Sequence, residues 1–180
     1  MKKKFKIIIG AVCSLLGLAI LTPFIYHFVL TQTIILDSMP APDIQEQIDI
    51  YVELGYCTGG YDNGEDIEIW LTRYQKQKWM EDVQNDLKLY LEETNGLDNM
   101  VFEISKDKKE LTLIANENMS FKSAATYVTA FVYNMQLHQV LNGEKDWKIT
   151  FILKDLDTGE VLYTVEHPDN NIRVEQEMWD

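Results

Sequence analysis

From Ile7 to Leu30 the chain runs for 24 residues without a formal charge, directly behind Lys2, Lys3, Lys4 and Lys6. At about 1.5 Å per residue a helix of that length reaches about 36 Å, more than the roughly 30 Å hydrocarbon core of a bilayer. Fourteen of the 24 are Ile, Leu, Val or Phe. Each favours insertion by about 0.3 to 0.6 kcal/mol, and together they outweigh Pro23 and His27. The run therefore predicts a transmembrane anchor over 7–30, behind a basic cytoplasmic tail over 1–6. The positive-inside rule places the rest of the chain outside the cytoplasm, as a single-pass protein of the cell membrane.

A cleaved signal peptide has an apolar region of about 7 to 15 residues and a small-x-small cleavage site. This run is longer, and Ala41, the first alanine after it, is followed by Pro42. An uncleaved signal-anchor is the expectation. Val12 before Cys13 does not suit lipoprotein processing, and the run lacks the early acidic residue of a pilin-like helix.

Charge is segregated about the anchor. Of 16 basic residues four precede the run, whereas all 29 acidic ones follow it, which leaves the remainder at a formal −17. Such a surface repels nucleic acid and anionic headgroups and suits cations or basic proteins. The 46% hydrophobic and 11% aromatic content is enough for a packed core. Residues 31–42, ending in Pro40-Ala41-Pro42, read as an extended linker. Residues 43–180 have the size of one domain. Cys13 and Cys57 fall on opposite sides of the membrane boundary, so no intrachain disulfide is expected, and Cys57 reads as a partly buried bystander thiol.

Within the domain, Asp43 and Glu46 form a capping-box pattern before Ile44, Ile48 and Val52, with Gly55 as a stop. The alternation of Ile48, Ile50, Val52 and Leu54 fits a strand nearly as well as a helix. Cys57 to Asp66 is turn-rich and contains Asn63-Gly64, a hairpin signal; Ile67 to Leu71 alternates as a strand. Thr72 and Gln75 open a helix with Trp79, Val83 and Leu87 on one face, ended by Gly96. Met100 to Ser105 and Leu111 to Ala115 form one hairpin, and the runs about Trp147–Leu153 and Val161–Val165 another. Between them Ser120 begins a long helix that Gly143 ends, apolar on more than one side. The tail from Pro168 is polar and reads as loose. The order β-α-β-β-α-β-β predicts an α+β two-layer sandwich, an antiparallel-rich sheet with helices on one face, and a ferredoxin-like arrangement as its specific form.

Catalytic chemistry is thinly supplied. His138 and His167 are the domain's imidazoles and neither lies in a nucleophile motif. One cysteine and two distant histidines do not make a zinc site. Asp62, Glu65 and Asp66, or Asp155 and Asp157, offer oxygen ligands without the spacing of a calcium loop. Gly59, Gly60 and Gly64 are not followed by the lysine of a phosphate loop. No cofactor and no metal is therefore expected. The residues that suit recognition are Tyr56, Tyr61 and Asp62 in the glycine-rich turn region and Trp70, on the strand face opposite Ile67, Ile69 and Leu71. The expectation is a membrane-anchored, non-catalytic binding or assembly module outside the cytoplasm, with a protein or glycan partner. The alternative is a carboxylate-dependent cell-surface hydrolase.

Overall fold

The structure, a computed structural model, describes residues 31–37, 44–62, 64, 66–97 and 99–179. The anchor expected over 7–30 and the proline-containing end of the linker lie outside the described residues. Among the described residues no helix is long and apolar enough to cross a membrane. They form an α+β fold with a three-stranded and a four-stranded sheet, and the chain divides after Gln77 into two compact units.

The first unit contains β1 (Thr31–Asp37), α1 (Ile44–Glu53), β2 (Gly59–Asp62) and β3 (Asp66–Thr72). The sheet is antiparallel in the order β1-β3-β2. Thr31–Asp37, read as linker, is a full strand paired from Thr31↔Thr72 to Asp37↔Asp66. Its β-branched residues suit a pleated, half-buried surface.

The ambiguity over α1 resolves to helix. Ile48 and Tyr51 are buried three residues apart, whereas Ile50, Val52 and Leu54 are 43%, 41% and 49% exposed, so the alternating series does not share an inner face. Gly55, at φ 74°, ends the helix in a Schellman motif. Its N–H donates to the Val52 carbonyl at 2.9 Å and the Tyr56 N–H to the Tyr51 carbonyl at 2.9 Å. Ile34, Leu36, Ile67 and Ile69 meet on the sheet's inner face, with Ile48 of α1 among the buried residues. A Cβ on Gly60 would lie 2.7 Å from the Glu68 carbonyl oxygen of β3 and 3.3 Å from Ile48 Cγ2 of the helix.

Helix α2 (Arg73–Thr94) starts in the first unit and continues into the second. The capping box read from sequence is realised: Gln75 N–H donates to Thr72 Oγ1 at 3.2 Å, and Thr72 N–H donates to Gln75 Oε1 at 2.9 Å. Then follow β4 (Met100–Ile104), β5 (Glu110–Ala115), α3 (Phe121–Leu141), β6 (Ile149–Asp155) and β7 (Val161–His167).

The second sheet has the order β4-β5-β6-β7. Two antiparallel hairpins flank a parallel β5–β6 pair joined through α3, since parallel strands need a crossover. This corrects the ferredoxin-like expectation: a split βαβ leaves a strand between the two that the helix connects, and here they are direct neighbours. Pairing of hairpins in space is decided by long-range packing that local alternation does not encode.

Phe102 of β4 lies on Phe131 of α3, ring centroids 4.9 Å apart, and Tyr90 of α2 meets Phe131 edge-on at 5.8 Å. Helix α3 thus lies on this sheet, and α2 packs against α3. Gly143, at φ 92°, closes α3 in a second Schellman motif. The C-terminal segment is ordered rather than loose. It ends in a short 3-10 turn, Gln176–Trp179, whose Trp179 Nε1 donates to the Ala115 carbonyl at 3.3 Å and whose ring sits edge-on to Phe121 at 6.0 Å.

Candidate functional site

Residues paired across an antiparallel sheet share a face, and the register of the first sheet therefore defines its outer side. Trp70 stands between Thr33 of β1 and Gly59 of β2, and Glu68 stands between Ile35 and Tyr61. Ile35, Tyr61 and Trp70 are 53%, 56% and 42% exposed. One aliphatic and two aromatic side chains thus lie within two neighbouring cross-strand rows, with the Glu68 carboxylate between Ile35 and Tyr61. The opposite face of the same strands is the buried one, which is why these large apolar groups are left in water.

The strand beneath Trp70 is firmly held. Its carbonyl accepts from both the N–H of Thr58, at 2.8 Å, and the Thr58 hydroxyl, at 2.9 Å. A Cβ on Gly59 would meet the Trp70 ring at 3.4 Å, so the indole leans over β2 on the side of Tyr61. Holding an aromatic group in place before a partner arrives lowers the ordering cost of binding.

Of the residues singled out from sequence, Tyr61 and Trp70 come together on this face. Asp62 does not join them: it is the next residue along β2, on the other side of the pleat, and its Oδ1 accepts from the Gly64 N–H at 2.8 Å. Tyr56 lies before β2, half-buried, its N–H engaged in the cap of α1. Ile35 and Glu68 escaped sequence reasoning. Glu68 alternates with Ile67 and Ile69 and could have been found from that period, whereas Ile35 required knowing that 31–37 is a strand.

The titratable groups are dispersed. His138 is half-buried beside Asn142 Nδ2, 3.3 Å from its Nδ1, and burial first, then Lys108, hold its pKa below the usual imidazole value. His167 stacks obliquely on Trp147 at 5.5 Å. Asp86 on α2 is pushed above the usual carboxylate value by burial and then by Asp82 one turn away. Cys57 is a buried free thiol. Asp155 accepts from the N–H groups of Asp157 and Thr158 within its turn; Glu65 lies outside the described residues. Among the described residues no group of three His, Cys, Asp or Glu side chains could hold a metal ion.

The second unit has a cavity of about 620 Å³ between β7, through Tyr163 and Val165, and the C-terminal segment, through Asp169, Asn171, Arg173 and Met178. Tyr163 and Val165 are two residues apart on a strand and therefore side by side on the face that carries Phe151, whose ring lies 6.4 Å from that of Tyr163. No protein-family model, no curated protein and no solved structure matches this chain.

Proposed function

We propose that the chain is a membrane-tethered binding or assembly module, which holds a partner protein outside the cytoplasm through the outer face of its first sheet. The observation that carries this reading is the solvent-open group Ile35, Tyr61 and Trp70. Tyr and Trp are the residues that most often dominate protein interfaces, because they cover a large area at little conformational cost. A sheet face with an aliphatic member suits another protein surface. Glu68 within the group, on a chain of strongly acidic character, calls for a basic side chain on that partner.

The uncharged run over 7–30 and the lysines before it support the tether and its orientation. The tether keeps the module in a thin layer above the bilayer, where a high local concentration replaces the need for high affinity.

The test is site-specific photo-crosslinking in intact cells, with a photoreactive phenylalanine in place of Tyr61 or Trp70 and, as control, in place of Val161, which is 53% exposed on the second unit. One protein adduct common to positions 61 and 70 and missing at 161 is the expected result. Adducts indistinguishable among the three positions refute the binding face. Protease added to the same cells tests the topology separately: digestion of the C-terminal two-thirds is expected, and protection of it removes the extracytoplasmic assignment.

A further inference from the structure

The cavity between β7 and the C-terminal segment belongs to the second unit and has a chemistry of its own. Its volume, about 620 Å³, falls in the range of about 300 to 1,000 Å³ typical of small-ligand sites. The segment that forms its wall is fastened at both ends. At the start, Asp169 is gripped by Lys148 Nζ at 2.8 Å and the Asn170 N–H donates to the Glu166 carbonyl at 3.0 Å. At the far end Trp179 is bonded to Ala115 and packed on Phe121. Between these anchors the chain arches over Tyr163, whose hydroxyl donates to the Asn171 carbonyl at 3.4 Å and whose ring is backed by Phe151. An aromatic ring, that of Tyr163, thus lines the cavity.

The lining residues Asn171, Arg173 and Glu175 carry planar groups, an amide, a guanidinium and a carboxylate, each able to present paired hydrogen-bonding atoms in one plane. Their charges select the ligand. A phosphate or other polyanion would face Glu175 and Asp169; a bare cation would face Arg173, which has no ion pair among the described residues. A hydrocarbon would leave these polar groups without water or partners.

An uncharged polyol meets none of these penalties. Its hydroxyls donate to carboxylate and amide oxygens and accept from guanidinium and amide N–H groups, and vicinal hydroxyls match a planar pair. The C–H face of a pyranose ring lies well on an aromatic ring. The geometry points to a saccharide-binding site under the C-terminal arch, its ligand a short neutral oligosaccharide. Tyr163 is the stacking platform, and Asn171, Arg173 and Glu175 are the hydroxyl-binding groups.

Calorimetric titration of the full-length chain, in a detergent without a sugar headgroup, tests this with cellotriose, maltotriose and triacetylchitotriose. Saturable binding of at least one trisaccharide is expected, weakened roughly tenfold or more by Tyr163→Ala and by Arg173→Ala, each loss equivalent to about 1.4 kcal/mol. Tyr163→Phe, which keeps the ring, retains binding, as does Tyr74→Ala on α2. Arg173 is exposed, so its variant stays informative if loss of the Tyr163 ring disturbs folding. Absence of binding by all three sugars at about 10 mM, an affinity weaker than the millimolar range, overturns the proposal. Binding that Arg173→Ala leaves intact overturns it equally.

Discussion

Gln139 and Lys148 exchange a reciprocal pair of hydrogen bonds: Gln139 Nε2 donates to the Lys148 carbonyl at 3.0 Å, and Gln139 Oε1 accepts from the Lys148 N–H at 3.2 Å. The same Nε2 donates to the Lys108 carbonyl at 2.9 Å. One amide with no solvent exposure thereby fastens α3 to the chain entering β6 and to the turn before β5. Gln139→Leu fits a similar volume but strands these backbone groups, and an unmet buried polar group costs about 1 to 3 kcal/mol. We expect a loss of about 2 to 4 kcal/mol in urea unfolding. A loss below about 1 kcal/mol would show that water or relaxation replaces the amide.

Gly60 and Gly64 make a matched pair of tests. A Cβ at Gly60 would meet the Glu68 carbonyl at 2.7 Å and Ile69 Cδ1 at 2.9 Å, and a backbone carbonyl in a paired strand cannot step aside. A Cβ at Gly64 meets nothing within 4 Å, and only the φ of 88° opposes a side chain there. Gly60→Ala is expected to cost about 2 kcal/mol or more, and Gly64→Ala about 1 kcal/mol. The order of the two thermal midpoints decides it; equal midpoints would mean that β2 moves off β3 at little cost.

Features encoded within a few residues were legible before the structure. The Thr72–Gln75 box, Ser120 as the N-cap of α3, and the stops at Gly55 and Gly143 all appear where local hydrogen bonding demands them. Features set by distant partners were not. Thr31–Asp37 becomes a strand because β3 offers it a paired edge, and β5 and β6 lie side by side because α3 packs over both. The candidate face divides the same way. The alternation of Ile67 to Leu71 places Trp70 on the outer side, whereas Tyr61, read within a turn-rich stretch, and Ile35, read within a linker, join it only through the pairing of β2 and β1 with β3. The arch over Tyr163 was invisible because its polar residues carry no period, and its order comes from Trp179 reaching a carbonyl 64 residues away.

Cys57 tests how tightly the first unit is closed. It is 2% exposed, and burial pushes its thiol above the ordinary value of 9.0, only partly opposed by the Gly59 backbone hydrogen bond. Alkylation needs both a thiolate and access. At about pH 8 iodoacetamide should modify Cys57 at least about a hundredfold more slowly in the native chain than in denaturant, read by peptide mass so that Cys13 is counted separately. Comparable rates would mean that the turn-rich segment after α1 opens freely and that Cys57 is accessible to a second chain's thiol.

Acid should loosen the β6–β7 turn in a way traceable to Asp155. Its Oδ1 accepts from the Thr158 hydroxyl at 2.8 Å, from the Thr158 N–H at 2.6 Å and from the Asp157 N–H at 3.0 Å. The Thr158 bonds come first among the causes that hold its pKa below the ordinary 3.8. A carboxylate with a depressed folded pKa contributes stability that is fully present above the unfolded value and is lost as pH falls through the folded one. Asp155→Asn keeps an acceptor oxygen but cannot carry the charge, so the wild type should be the more stable at about pH 7 and the two should converge towards about pH 2. Neighbouring carboxylates titrate in both proteins and cancel in the difference. A gap that stays constant across that range would show that the turn uses the shape of Asp155 and not its charge.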